Sequence, residues 1–217
     1  MKLHSVVGSP NSRKIQAVIN HLGLQVEMEY HDFFAGDLRT PNYLAINPNG
    51  MVPTLTDGAF TLWESNAIMQ YLADKAGSDE LFPRDPQRRA DVVRWQCWEL
   101  SHFNKAFGTL AFETVAKPAF NLGPTNQALV EASRSNLQRF APILDGHLTA
   151  RRHLVGDDIT IADYSMIHLE NFKDAIGFDW SPFPRLNDYF QRMQKVEHWA
   201  RTAPATQSDI GRKPKAA

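Results

Sequence analysis

The chain has 217 residues, 43% hydrophobic and 22% charged, with a formal net charge of −1. That balance gives no long-range field to hold nucleic acid or an anionic membrane, and no segment is apolar over the ~20 residues that a membrane span needs. A single cysteine, Cys97, excludes an intramolecular disulfide and any site built from several thiolates, so no metal site is expected.

Met1 to Val7 contains no apolar run of signal-peptide length, which makes the cytoplasm the expected location. Lys2 to Val7 reads as a short strand and Gly8-Ser9-Pro10-Asn11-Ser12 as a turn. From Arg13 the apolar spacing becomes helical: Ile15, Val18, Ile19 and Leu22 share one face, and Gly23 stops the run. Val26 to Tyr30 alternates as a strand. The first thirty residues therefore form a β–α–β unit whose strands run parallel through a right-handed crossover. Thr40-Pro41 opens a short helix through Tyr43, Leu44 and Ile46, with the threonine capping and the proline at the first helical position. Val52-Pro53 opens another strand, where a residue with fixed φ and no N–H is tolerated. Thr56-Asp57-Gly58-Ala59 is a hairpin turn, Phe60 to Leu62 returns, and Glu64-Ser65 opens a helix that Gly77 ends. Residues 1–77 make one domain.

Composition then shifts. Residues 78–86 are polar and hold two prolines, the mark of a linker. No strand follows. Residues 87–117 form a long amphipathic helix with Trp95, Trp98, Leu100, Phe103, Phe107 and Leu110, which Pro118 closes. Thr125 to Leu148 is a second, with Leu129, Leu137, Phe140, Ile143, Leu144 and Leu148 as its stripe; Pro142 inside it predicts a kink or break. In Gly156-Asp157-Asp158-Ile159-Thr160-Ile161-Ala162-Asp163, Thr160 and Asp163 form a capping box that builds a helix and does no chemistry. A further helix runs from about Arg185 to Lys195. The all-helical domain spans 87–203, and the polar segment 204–217 is expected to be a mobile tail. Cys97 is expected to be a small buried apolar residue.

Together, the β–α–β–(α)–β–β–α half with Val52-Pro53 and Glu64-Ser65, the linker, the helical half and the Thr-x-x-Asp box after a Gly-Asp turn resemble the cytosolic glutathione transferase superfamily, to about residue 202. The resemblance implies an α/β N-terminal thioredoxin-like domain plus an all-α C-terminal helical domain. It implies a cis Val52–Pro53 peptide, with the Val52 backbone pairing with the cysteinyl part of glutathione as an added strand would. Glu64-Ser65 then binds the γ-glutamyl end: a hydroxyl and N–H groups at a helix N-terminus suit its carboxylate, and Glu64 suits its ammonium. The same pair would also serve as a plain helix cap. Many relatives carry Lys or Arg before the Val/Ile-Pro to reach the glycyl carboxylate; Met51 stands here, and Arg39 and Asn49 are the candidate substitutes.

The group that activates the thiol is expected at the end of the first strand. A free thiol has a pKa of about 8.5, and a donor aimed at sulfur beside a helix N-terminus lowers it. Ser9-Pro10 followed by Arg13 resembles the serine-type theta-, phi- and tau-like classes, and Pro10-Asn11 resembles bacterial nu-type and fungal prion-like transferases. Ser9 is the expected primary donor and Asn11 the second. Ser12, where some relatives have a cysteine, is expected to cap the helix. No tyrosine lies at residues 5–9, against an alpha/mu/pi-type mechanism. The implied function is conjugation of the glutathione thiolate to a small hydrophobic, soft electrophile, a detoxification reaction, by a two-fold homodimer with no nucleic-acid or membrane partner. The alternatives are a glutathione-dependent disulfide or peroxide reductase of nu type, and a binding protein that keeps the fold without catalysis. The electrophile pocket is expected near Ser9 and the first long helix, around Trp95, Trp98, His102, Phe103, Phe107 and Phe112.

Overall fold

The computed structural model describes residues 1–214. The last three residues of the expected tail, 215–217, lie outside the described residues. Two compact units form, one from Met1–Phe82 joined by the chain from Val196 onward, the other from Pro83–Lys195.

The first unit is a four-stranded sheet with helices: β1 (Lys2–Ser5), α1 (Pro10–Leu22), β2 (Glu27–Tyr30), α2 (Pro41–Ile46), β3 (Thr54–Asp57), β4 (Phe60–Trp63) and α3 (Ser65–Ala76). The strand order is β2-β1-β3-β4. β1 pairs parallel with β2, and the other two pairings are antiparallel. Leu3 and Leu55 face each other across β1 and β3, both fully buried. Over them pack α1 and α3, through Ile15 and Val18 on one and Ile68, Met69 and Leu72 on the other. Burying a side chain of this kind contributes about 1.5–3 kcal/mol.

Two details depart from the pattern reading. α1 begins at Pro10, before its first core residue, because Ser9 is the N-cap: its Oγ accepts from Ser12 N at 3.4 Å, and Pro10 supplies the pre-set φ. Ser12 therefore does not cap the helix. Its own hydroxyl is buried without a hydrogen-bond partner.

The second unit holds α4 (Pro86–Trp98), α5 (Asn104–Ala111), α6 (Lys117–Phe120), α7 (Gln127–His147), α8 (Ile161–Ile167) and α9 (Pro184–Gln194). Two π-helical stretches, Glu99–Phe103 and Phe112–Ala116, join α4, α5 and α6. Pro118 thus lies inside a helix instead of closing one. The π turn and the proline leave carbonyls open, and the Thr125 hydroxyl donates to that of Glu113 at 3.0 Å. Asn126 caps α7, and Pro142 lies within it without ending it. Cys97 is exposed, not buried, because the phase of α4 turns Val92, Trp95 and Gln96 inward. The capping box is present: Thr160 N donates to Asp163 Oδ2 at 2.9 Å.

The chain then returns to the first unit. In α10 (Glu197–Ala200), Trp199 is buried and stacked 4.1 Å under the Arg13 guanidinium, whose Nε donates to Thr202 Oγ1 at 3.0 Å. Residues 196–203, expected in the helical domain, therefore belong with α1. The described part of the expected mobile tail is also bound: Gly211 N donates to Val7 O at 2.9 Å and accepts at its carbonyl from Phe33 N at 2.7 Å. Val7 and Phe33 lie past the last β1–β2 pair, so their backbone groups have no strand partner and take this one.

Candidate functional site

The site is built on the turn between α2 and β3. Asn47 ends α2, and Gly50 N donates back to Asn47 O at 3.0 Å. Gly50 has φ +60°, a left-handed conformation that favours glycine, and a Cβ there would also displace the Arg39 guanidinium, whose Nη1 would lie 2.6 Å away. Beneath this turn two buried side chains converge on one carbonyl. Asn47 Nδ2 donates to Met51 O at 2.8 Å, and the Tyr43 hydroxyl donates to the same oxygen at 2.7 Å. Both also reach Thr54 Oγ1, at 3.0 and 3.1 Å. Burial pushes the Tyr43 phenol above its usual range, which keeps it a donor. Met51 O is thus held from inside while the Met51 side chain faces solvent. Val52 follows, packed against Val6, Leu38 and Tyr43, and the Val52–Pro53 peptide is cis.

Behind the same tyrosine, His4 and His31 stack at 5.3 Å, with Nδ1 and Nε2 sharing a 3.0 Å hydrogen bond. The His31 ring meets Tyr43 edge-on at 4.8 Å. Burial lowers both histidine pKa values.

The second arm is the junction of β4 and α3. Glu64 has φ 75° and ψ 110°, one of two non-glycine residues with positive φ among the described residues. Such a conformation costs on the order of 1–3 kcal/mol and persists where the surroundings impose it, commonly at a functional site. It aims the first turn of α3, whose amides carry the positive end of the helix and which itself holds no acidic residue. Ser65, the first residue of that helix, is buried and donates from Oγ to Asn11 Oδ1 at 3.4 Å, across 54 positions of sequence.

Together these parts enclose a cleft of about 170 Å³ lined by Asn11, Asn47, Asn49, Met51, Val52, Pro53, Trp63, Glu64 and Ser65. Of the residues expected from sequence, Asn11, Asn49, Val52, Pro53, Glu64 and Ser65 are brought together here. Ser9 and Arg39 are not among the lining. Ser9 lies two residues before Asn11 at the cap of α1, half-buried. Its Oγ accepts a hydrogen bond there, and its own proton is left to donate. Arg39 is exposed, its guanidinium over Gly50. Sequence reasoning missed Asn47 and Trp63. The only signal for Asn47 was an asparagine closing a helix before Pro48, which reads as a turn residue; its burial comes from tertiary packing. Chemically, the arrangement offers an exposed backbone segment at Val52, a carboxylate and hydroxyl at a helix N-terminus, and the Asn11 amide opposite.

The model for the N-terminal domain of glutathione S-transferase matches residues 3–80, and the model for its C-terminal domain matches residues 103–197. The chain is 32% identical over 168 residues to Glutathione S-transferase 3 of Zea mays, covering 75% of this chain and 73% of that one. It is 27% identical over 197 residues to Glutathione S-transferase D6 of Drosophila melanogaster, covering 90% and 88%. Among solved structures, glutathione transferase URE2P6 of Phanerochaete chrysosporium in complex with oxidized glutathione superposes with a TM-score of 0.81 at 26% identity, covering 93% of each chain.

Proposed function

The chain belongs to the glutathione S-transferase family, and on that premise we propose that it joins the thiol of glutathione to a small hydrophobic electrophile. The observation that carries this reading is the single cleft in which Val52, Pro53, Glu64, Ser65 and Asn11 meet. In this reading the Val52 backbone pairs with the cysteinyl residue of glutathione. The Ser65 hydroxyl and the first amides of α3 take the γ-glutamyl carboxylate, and Glu64 takes its ammonium. The glycyl carboxylate goes to Asn49 and Arg39 in place of a cation at Met51. The sulfur then points to the N-terminus of α1, where Ser9 donates its hydroxyl proton and Asn11 its amide.

The chemistry asked of these groups is modest. With a thiol pKa of about 8.5, roughly 3% is thiolate at pH 7; lowering it to about 6.5 gives roughly 75%, a gain of about 25-fold for about 2.7 kcal/mol. The thiolate attacks the electrophilic carbon, and the leaving group departs with its electron pair. Proximity supplies the remainder of the rate. A two-fold homodimer working in the cytoplasm, in detoxification, completes the proposal. Among the described residues no helix is long and apolar enough to cross a membrane. The test is conjugation of glutathione to a chloronitrobenzene by the protein and by Ser9→Ala; unchanged turnover in the variant removes Ser9 from the mechanism.

One observation favours a second reading. Asn11 lines the cleft and accepts from Ser65, whereas Ser9 does not line it. An amide-led site fits a nu-type reductase, in which one glutathione thiolate attacks a disulfide, releases a thiolate, and a second glutathione resolves the mixed disulfide to oxidised glutathione. Turnover of hydroxyethyl disulfide without conjugation selects this reading.

A further inference from the structure

The corner between β1 and α1, which carries Ser9 and Asn11, is gripped by a segment two hundred residues away in sequence. β1 and β2 stay paired to Ser5 and Tyr30, with one more bond from His31 N to Ser5 O at 2.9 Å. Past that point Gly211 sits between the continuations of the two strands, bonded to Val7 O on one side and Phe33 N on the other. Gly211 is buried, with φ 82°, and a Cβ there would lie 2.6 Å from Phe34 Cε2. Next to it, Ile210 covers Gly8: a Cβ on Gly8, whose φ is 78°, would come within 2.9 Å of Ile210 Cγ1. The Arg212 guanidinium lies 5.2 Å from the Phe34 ring and closes the outer side. Two glycines in left-handed conformations thus permit an approach that any side chain would block.

We propose that Ile210–Gly211 is a positioning element for the thiol-side corner, clamping Val7 and Gly8 so that the Ser9 hydroxyl and the Asn11 amide are held ready for the sulfur. This rests on the reading of that corner as the thiol-activating side. Gly8 is the residue before Ser9, and a glycine released from contact populates both signs of φ. Releasing it costs preorganisation of the donors. It leaves the cradle at Asn47–Ser65 intact, so the loss falls on turnover and thiol ionisation and spares glutathione affinity.

The test compares the full chain with a chain ending after Ala205, with Gly211→Ala, and with Gly211→Ala/Phe34→Ala, in which the collision is relieved. Bound-thiol ionisation is read from thiolate ultraviolet absorbance against pH, and amide exchange is followed over residues 6–12. In the shortened chain and in Gly211→Ala, the thiol midpoint rises by about one unit, conjugation at pH 6.5 falls about fivefold, and the corner exchanges faster, with glutathione affinity within about threefold. The double variant recovers only part of the loss, because a Cβ at φ 82° stays strained once the Phe34 ring is gone. A folded shortened chain with parental midpoint and exchange overturns the proposal. If that chain does not fold, parental values in Gly211→Ala overturn it instead. A midpoint insensitive to both Ser9→Ala and Asn11→Ala sinks the thiol-side reading and the positioning role with it, while faster corner exchange in Gly211→Ala still marks the clamp.

Discussion

Asn47→Ala probes the cradle directly. The wild-type side chain is 2% exposed, donates to Met51 O and Thr54 Oγ1, and accepts from Asn49 N and Nδ2. Asn49 is exposed and recovers its bonds from water. The two buried bonds are lost, at about 1 kcal/mol each, and Met51 O and Thr54 Oγ1 keep Tyr43 as a partner, so neither is orphaned. With the void left by the amide, the expected loss is about 2–3 kcal/mol. For a chain of this size that lowers Tm by about 4–12 °C. Tyr43→Phe removes the other hand on the same carbonyl and costs about 1–2 kcal/mol alone. The double variant costs more than the sum of the two, because only then do Met51 O and the buried Thr54 Oγ1 lose both Asn47 and Tyr43. Urea unfolding measures all three, and glutathione titration calorimetry shows weakened affinity in the same order as the Val52 backbone loses its support. Stability of Asn47→Ala within about 0.5 kcal/mol of the parent, or strict additivity in the double variant, would refute the reasoning.

Glu64→Gly relieves the positive φ and is expected to raise stability by about 1 kcal/mol while raising the KM for glutathione at least about tenfold, since the ammonium loses its carboxylate; higher stability with unchanged KM would clear Glu64 of any binding role. Ser9→Ala and Asn11→Ala separate the two donors: the one that activates sulfur lowers kcat and shifts the pH–rate profile upward, and the other leaves both in place. For His4 and His31, burial depresses the folded-state pKa below the ordinary value of about 6.5, so the unfolded chain binds more protons as pH falls. Their stabilisation is present above that value and lost as pH drops through the folded-state pKa. The urea midpoint should therefore fall between pH 7.5 and 5.5, less steeply in His31→Gln, and an identical slope in that variant would be the contrary result.

Much of the fold was legible because its signals are local. Thr40-Pro41 at a helix start, Gly23 and Gly77 at helix ends, Asp57-Gly58 in the hairpin and the Thr160–Asp163 box each act within four residues of themselves. Where those signals compete, the reading slipped. Ser9 and Ser12 both suit a cap, and the role falls to Ser9, directly before Pro10 at the first helical position. Pro118 and Cys97 were misread because π turns and helical phase depend on what α4 to α6 pack against.

The amino-acid order by itself determined the β–α–β–α–β–β–α frame, the helical second half and the Val52-Pro53 and Glu64-Ser65 pairs, since backbone preference and apolar period are properties of neighbouring residues. Only the tertiary structure decided which side chains share the cleft. Asn11 meets Ser65 across 54 positions, Asn47 is buried under Met51, Glu64 is held at positive φ, and Gly211 closes on Val7. The Asn11, Asn47 and Gly211 contacts each satisfy a backbone or polar group that the sheet and helices leave without a partner, and which distant segment supplies the partner is settled only once the chain has packed.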